Sequence, residues 1–489
     1  VGAGTEACPG AVAGADREGS RMAAARWSRR AVLRGGMVAG LAGLLAACRD
    51  GDDARRRSSS LPVQQDPAPS VFPTVTRRLT GAITVVYADE LGKKPGYVDA
   101  AARAVEQAHP GTTVSAVRHR IGGNEFFEQV LPALRSDDAP DVLHVGGDRL
   151  GELADAGLIV PLDGYLADWP DWRYYSPTVR DGVTYQGQTW ALPYGLDTRF
   201  LYFRRDIFQQ AGLPPDWQPR NVAEILTAAE RVRARRPDVM PYALYAGVAG
   251  GSGTANHGFV PLVYAYGGSL KDQRGNWIGD SPAIRKTLAY YHTAYRTMGL
   301  VSPELLQMSR AWVEMRERLG DGRLAMLYEG GWVYGGWAEK DKTGTAQNIG
   351  YLLFPTEYEG PSFTLGGPGT CWYITAAGRN KDLAWEFIAT WNSRDTVGRL
   401  NAEDPHPVAR VDAVRVPEYR QERFLVDSTE SLRRAYSVPP DAAYGTVVGV
   451  IQSITAAVVR GELSPDEAAS RYAQELRQVV GSNRVTIQG

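Results

Sequence analysis

Residues 190–213 read W-A-L-P-Y-G-L-D-T-R-F-L-Y-F-R-R-D-I-F-Q-Q-A-G-L. An extended run breaks at Pro193 and Gly195 and resumes as the apolar strand 200–203. A short helix follows and ends at Gly212. This order of strand, break and strand predicts that the chain first crosses here between two lobes, so we expect an α/β fold with a hinge.

Asp197 lies between the two extended runs of this stretch. A polar residue in a hinge peptide faces a cleft rather than a core, which makes Asp197 the first candidate for a ligand-binding residue. An ordinary turn aspartate that accepts backbone N–H bonds would produce the same local sequence.

The length and composition are those of a large globular protein. A chain of 489 residues exceeds a typical single domain, so two lobes are expected. The formal net charge of −1 provides no electrostatic attraction for nucleic acid. Several of the 12 Trp and 24 Tyr fall in Gly-rich loops, a pattern that favours a ligand with flat apolar faces.

The first 48 residues have the features of an export signal. Ser28-Arg29-Arg30 precedes an apolar run at 35–47 that leads directly to Cys48. The order resembles a twin-arginine signal joined to a bacterial lipoprotein cleavage site, and the apolar run is too short to span a membrane. We therefore expect residues 1–48 to be a signal region with Met22 as the translation start, and we expect Cys48 to carry lipid.

Residues 49–80 are rich in Asp, Arg, Ser and Pro, and we expect them to be a disordered tether. After cleavage, a lipid on Cys48 would anchor the protein at the outer face of the cell membrane. Cys371 would then be the remaining free thiol, and we expect it to be a small buried apolar residue.

The segment that follows the tether has a β-α-β pattern. Strands are expected at 82–87, 113–118 and 141–145, and the last is an apolar run typical of a parallel sheet covered on both faces. Ligands of such sheets bind at the carboxyl ends of the strands. That rule brings together the residues after two of these strands, namely Asp89, Glu90, Asp148 and Arg149. Asp148 and Arg149 could equally form a surface ion pair.

The second half mixes predicted helices with Gly-rich connections. We expect a Gly-rich loop at 242–258 with Asn256 and His257, and helices at 303–318, 443–460 and 464–479. A buried strand at 323–328 leads to Trp332, whose ring could either stack on a ligand or pack in the core. His257 could simply bond backbone groups.

Common catalytic and metal-binding motifs are missing from the sequence. It has no Gly-x-Ser-x-Gly, no His-Glu-x-x-His, no Cys-x-x-Cys and no phosphate-binding Gly-x-x-x-x-Gly-Lys. We therefore predict no catalytic residues, no metal and no cofactor. A pair of glycosidase carboxylates remains an alternative, because such a pair is defined by its spatial separation.

The order of several short segments resembles the extracellular solute-binding proteins of ABC importers, in the carbohydrate-binding branch that includes the maltose-binding protein. The segments are 148–158, 193–206, 325–332, 350–355, 366–367, 374–377 and 461–468. The resemblance covers about residues 81–480. It implies a two-lobe periplasmic-binding-protein-like fold, with lobe I at 81–193 and 354–392 and lobe II at 198–353 and 393–489.

The resemblance also implies a sugar site. Aromatic plates would cover the C–H faces of a sugar, and carboxylates and amides would bind its hydroxyl groups. The predicted ligand-binding residues are Asp89, Glu90, Asp148, Arg149, Tyr194, Asp197, Asn256, His257, Trp332, Gly367 and Tyr444. Val145 and Val448 stand where the maltose-binding protein has tryptophans, and Tyr87, Tyr194, Tyr436 and Tyr444 could replace those plates.

We thus predict a monomeric lipoprotein that binds an oligosaccharide and delivers it to the permease subunits of an ABC importer. An open form would close by hinge motion around 193–198 and near Phe354. A secreted hydrolase that acts on glycans and a ligand-sensing lipoprotein without a transport role are the alternatives.

Overall fold

The computed structural model describes residues 78–340, 346–357, 360–438 and 440–488. The predicted signal region, Cys48 and nearly all of the predicted tether lie outside them. Among the described residues, no helix combines the length and the apolar character needed to cross a bilayer.

A mixed sheet of five strands forms the first body of the fold. Its strands, in spatial order, are Thr112–His119, Gly81–Ala88, Val142–Gly146, Thr370–Ile374 and Leu192–Pro193. The first three are parallel, and Thr370–Ile374 runs antiparallel to both of its neighbours. Val142 and Leu143 are both fully buried and belong to two different apolar clusters, which confirms that the sheet is covered on both faces.

A second sheet forms the second body of the fold. It has three antiparallel strands in the order Met326–Gly330, Arg199–Arg204 and Ile349–Leu352. All six residues of Arg199–Arg204 are buried, as expected for the central strand. The apolar run 200–203 thus joins a different sheet from Leu192–Pro193, and the chain passes between the two sheets where the sequence predicts it.

Short ladders join the two sheets. Leu196–Asp197 pairs antiparallel with Gly367–Pro368, which precedes the return of the chain to the first sheet. Thr364–Leu365 pairs in parallel with Ala435–Tyr436. Two further short pairs, Thr184–Tyr185 with Gln188–Thr189 and Trp277–Asp280 with Val485–Ile487, lie outside the main sheets.

Helices cover both sheets, and most of the predicted ones are present. Their bounds are Pro95–Ala108, Gly123–Leu134, Leu150–Asp155, Asp163–Ala167, Pro177–Gly182, Arg205–Gln210, Ala223–Arg235, Val260–Ala265, Pro282–His292, Ala311–Gly320, Val333–Lys340, Lys381–Trp391, Arg394–Glu403, Pro417–Gln421, Arg423–Ser431, Tyr444–Arg460 and Pro465–Val480.

Local sequence explains the ends of the last two helices. Gly461 ends Tyr444–Arg460 in the left-handed conformation at φ 76°, which glycine adopts without steric cost. Ser464 and Glu467 form the predicted capping box at the start of Pro465–Val480.

Two predictions of secondary structure are wrong. The helix expected at 303–318 is divided into a 3₁₀ turn at Pro303–Gln307 and a helix at Ala311–Gly320. The Gly-rich loop expected to reach Gly258 ends earlier, because Thr254–Phe259 is already helical and continues into Val260–Ala265. Asn256 and His257 are therefore held on a helical turn.

Candidate functional site

A cavity of about 90 Å³ lies beside the ladder formed by Leu196–Asp197 and Gly367–Pro368. Residues of both bodies line it, together with residues of the connecting strands. Of the predicted ligand-binding residues, the cavity includes Asp148, Asp197, Asn256, Gly367 and Tyr444. The lining residues without a site role in the sequence prediction include Gly147, Gly182, Arg199, Leu365, Gly366, Pro368, Ser437, Val438, Pro440 and Asp441.

Asp197 and Arg199 form an ion pair at the connection between the sheets. Arg199 Nη2 lies 3.3 Å from Asp197 Oδ2, and Arg199 Nη1 donates to the carbonyl of Leu365 at 3.3 Å. Burial raises the pKa of Asp197, and the Arg199 guanidinium opposes that shift. Residues two apart on an extended strand point to the same side, so this spacing could have identified Arg199 from the sequence.

Asp148 reaches the cavity from the turn after strand Val142–Gly146. About 47% of its side chain is exposed, and Arg149 Nε lies 3.9 Å from its carboxylate. Arg149 thus forms the long ion pair with Asp148 that the sequence leaves open, but its Nη1 donates to Glu152 at 3.2 Å and its guanidinium lies over the ring of Phe127. The carboxylate of Asp148 can therefore accept hydrogen bonds from a ligand.

Two polar residues of the second body face the same space. Tyr444, at the start of Tyr444–Arg460, donates its hydroxyl hydrogen to Asn256 Oδ1. The Asn256 carbonyl is engaged, so its amide N–H groups are the donors that it can offer to a ligand. Burial raises the pKa of the Tyr444 hydroxyl, which stays protonated at neutral pH.

Asp441 is held by a set of opposite charges. Lys271 contacts its carboxylate, Arg484 Nη2 donates to it at 2.8 Å, and it accepts the backbone N–H of Ala443 at 2.8 Å. Asp441 is 6% exposed. Its position just before a long helix is the signal that could have identified it, since aspartate is common at helix starts.

The two bodies also touch beside the cavity. A Cβ atom added to Gly151 of the first body would lie 2.7 Å from the backbone nitrogen of Ala442 and 2.8 Å from the carbonyl carbon of Asp441. Only a glycine permits so close an approach of the two backbones.

Asp89 and Glu90 follow the first strand but do not line the cavity. Asp89 is fully buried and binds Arg118 Nε at 2.8 Å, with Lys94 Nζ at 3.9 Å. Glu90 is 62% exposed and lies 4.0 Å from Arg310 Nη2. The structure thus separates these two residues from Asp148, although all three follow strands of one sheet.

Tyr194 and His257 are buried outside the cavity lining. Tyr194 stacks on His144 at 5.5 Å between ring centroids, and its carbonyl accepts a hydrogen bond from Asn401. His257 Nδ1 lies 3.1 Å from Glu329 Oε1 in the interior of the second body. Burial lowers the pKa of His257 to about 3, so the ring is neutral at physiological pH.

Trp332 does not line the cavity. Its ring is parallel to that of His406 at 6.0 Å, and the Arg199 guanidinium lies over it at 5.5 Å. Cys371 is a fully buried free thiol, as the sequence predicts. Within the described ranges, no three His, Cys, Asp or Glu residues are grouped as metal ligands.

A family model described as "Bacterial extracellular solute-binding protein" matches residues 88–397. The mannitol-binding protein of Pseudomonas aeruginosa is 26% identical over 68% of this chain and 79% of that protein. The maltotriose-binding protein of Pyrococcus abyssi is 22% identical over 70% of this chain and 71% of that protein.

Solved structures share the fold. A solute-binding protein of an ABC transporter from Thermotoga lettingae, bound to alpha-D-tagatose, aligns over 82% of this chain and all of that chain, with a TM-score of 0.71 and 21% identity. Maltose-bound MalE3 of T. maritima aligns over 82% of this chain and all of that chain, with a TM-score of 0.68 and 18% identity. The predicted two-lobe periplasmic-binding-protein-like fold is confirmed.

Proposed function

Because the chain belongs to the family of bacterial extracellular solute-binding proteins, we propose that it binds a carbohydrate between its two lobes and delivers it to the permease subunits of an ABC importer. Proteins of this family bind solutes rather than transform them, and they act outside the cytoplasm. The protein is therefore not an enzyme, and the hydrolase alternative is set aside.

The observation that carries this proposal is the set of polar groups in the cavity beside the crossing strands. Asp148 and Asp197 supply carboxylate acceptors, and Asn256 and Arg199 supply N–H donors. A carbohydrate presents hydroxyl groups that both donate and accept, so a site with both kinds of partner matches it. The mannitol- and maltotriose-binding relatives support the same ligand class.

We propose that Asp148, Asp197, Asn256, Gly367 and Tyr444 contact the ligand, with Arg199 and Asp441 added to the set. The carboxylates would form charge-assisted hydrogen bonds to hydroxyl groups, and these are the stronger kind. Six predicted residues do not line the cavity, so we leave them out of the proposed contacts: Asp89, Glu90, Arg149, Tyr194, His257 and Trp332.

We propose that the two lobes close on the ligand by a hinge motion. The contact of Gly151 with Asp441 and Ala442 supports a closed arrangement of the two lobes. Opening would separate these residues and increase the exposure of Asn256 to solvent. The hinge would be the ladder of Leu196–Asp197 with Gly367–Pro368.

The proposed lobe boundaries differ from the sequence prediction at two places. We place the return crossing at the ladder strand Gly367–Pro368 rather than near Phe354. We assign residues 393–412 to lobe I, because Asn401 bonds the carbonyl of Tyr194 and Asp404 binds Lys94. Residues from about 417 onward would belong to lobe II.

We also propose that Cys48 carries a lipid and that the domain acts as a monomer at the outer face of the cell membrane. The twin arginines, the apolar run and Cys48 in sequence support this. Expression in a bacterial host with a labelled fatty acid should label the wild-type protein and leave Cys48→Ser unlabelled. Equal labelling of both would rule out Cys48 as the attachment site.

A thermal-shift screen with a panel of sugars and sugar alcohols tests the binding function. A carbohydrate at about 100 times its dissociation constant should stabilise the native state by about 2.7 kcal/mol. Chromatography of the same mixtures should return the ligand chemically unchanged. Conversion of the sugar to products would contradict the proposal, as would the absence of a shift with any carbohydrate.

A further inference from the structure

Tyr436 presents an aromatic ring to the cavity. About half of the residue is exposed, and it lies on the short strand Ala435–Tyr436, which pairs with Thr364–Leu365. Tyr264 stacks on it at 4.9 Å with an interplanar angle of 15°. The pairing and the stacking fix the orientation of the ring.

Neither neighbouring ring covers the second face of Tyr436, which is about half exposed. Phe363 lies 5.2 Å from Tyr436 and 6.5 Å from Tyr264, so it sits beside the stacked pair rather than over the far face. An aromatic face that is held in place on one side and open on the other can cover the C–H face of a sugar.

Trp332 is engaged with other protein groups. Arg199 covers its ring at 5.5 Å, and His406 and His257 lie at 6.0 and 6.1 Å. Trp332 does not line the cavity, whereas Tyr436 lines it and is about half exposed. The aromatic plate of the site is therefore Tyr436.

Two close backbone packings involve residues that line the cavity. The backbone at Gly151 contacts Asp441 and Ala442 on one side, and Gly182 packs against Pro368, where an added Cβ would lie 2.7 Å from the ring. The volume of about 90 Å³ is well below the range of about 300–1,000 Å³ that holds larger ligands. A cavity of this volume is too small for several linked sugar rings.

We propose that the site takes a carbohydrate of a single unit, a monosaccharide or a sugar alcohol of similar size, with its C–H face against Tyr436. This specifies the ligand more narrowly than the oligosaccharide expected from the sequence. It rests on the proposed carbohydrate-binding function.

Calorimetric titration with matched ligands tests the size limit. The ligands are glucose with maltotriose, mannose with mannotriose, and mannitol as a single-unit sugar alcohol. We expect at least one single unit to bind, and every trisaccharide to bind more weakly by about tenfold or more. A trisaccharide that binds more tightly than its single unit would overturn this inference and leave the proposed function intact. Binding by none of the five would overturn both.

Two substitutions test the role of Tyr436 with the best ligand of that panel. Tyr436→Ala should weaken binding about tenfold because it removes the aromatic face, and Tyr436→Phe should keep an affinity close to that of the wild type. An unchanged affinity in Tyr436→Ala, or an equal loss in Tyr436→Phe, would overturn the assignment. Thermal unfolding without ligand checks that both variants fold. If either variant does not fold, the ligand-size comparison in the wild type still tests the proposed single-unit limit.

Discussion

Two groups of charged residues lie near the crossing strands, and they differ in what their polar atoms face. Asp148 and Asp197 line the cavity, and the carboxylate of Asp148 is about 47% exposed. Glu329, on a neighbouring strand, is fully buried and bonds Arg316, Tyr245 and the backbone N–H of Gly330. We call Asp148 and Asp197 the open set, and we call Glu329 and His257 the sealed set.

The difference separates a binding role from a structural one. Burial alone would raise the pKa of Glu329, but Arg316 and the other partners lower it to about 2, so the carboxylate is ionised and satisfied within the protein. The open set keeps acceptor capacity that a ligand can use. Substitutions in the sealed set should therefore change stability, and substitutions in the open set should change affinity.

The largest effect is expected for Glu329→Gln. It leaves the guanidinium of Arg316 without its ionic partner in a buried site, so the free energy of unfolding should fall by about 3 kcal/mol. Denaturant unfolding measures this. Glu475→Gln, in the exposed Arg471–Glu475 pair, is the control and should cost less than about 1 kcal/mol. Equal losses in the two variants would remove the distinction between sealed and exposed pairs.

The second-largest effect is expected on acidification, which should lower the free energy of unfolding through the sealed set. The folded-state pKa of His257 is about 3, below the value of 6.5 for a free histidine. The unfolded chain therefore binds more protons, and the free energy of unfolding should fall by roughly 2 kcal/mol between about pH 7 and pH 5. Protonation of Glu329, which the unfolded chain undergoes near pH 4.5 and the folded chain only near pH 2, adds a further loss over that range. In His257→Asn the first decrease should be smaller, and an unchanged slope would contradict the assignment.

In the open set, Asp148→Asn should weaken carbohydrate binding about tenfold, because one charge-assisted hydrogen bond is lost. The free energy of unfolding should change by less than about 0.5 kcal/mol. Calorimetry and denaturant unfolding measure the two quantities. The exposed Asp216→Asn variant serves as the matched control and should alter neither. If Asp148→Asn loses stability but not affinity, Asp148 has a structural role rather than a binding role.

The smallest effect is expected for Gly151→Ala, which tests closure. The new methyl group would meet the backbone of Asp441 and Ala442 only when the lobes are together, so affinity should fall about fivefold. Gly449→Ala, where an added Cβ has no neighbour within 4 Å, is the control. An unchanged affinity in Gly151→Ala would indicate that the lobes do not meet there in the bound state.

The sequence was sufficient to locate the passage of the chain between the two sheets, because local signals mark it. Pro193 and Gly195 break the first extended run, and the apolar run at 200–203 requires a buried central strand. The division of the helix expected at 303–318 was missed, since no proline or glycine interrupts 304–318 to mark the break.

The site was only partly predictable, because side-chain roles depend on partners distant in sequence. Asp89 and Asp148 both follow parallel strands. Asp89 is buried against Lys94 and against Arg118, which is 29 residues away in the sequence. Asp148 and Arg149 are adjacent and form a long ion pair, yet only Asp148 lines the cavity. The carboxylate of Asp441 pairs with Lys271 and Arg484, and no local sequence pattern predicts these two ion pairs.

A crystal structure of the protein with its tightest-binding carbohydrate tests the central claim most directly. We expect an intact sugar between the two lobes, with its hydroxyl groups bonded to Asp148, Asp197 and Asn256. A sugar bound outside this cavity, or a cleaved sugar within it, would contradict the account.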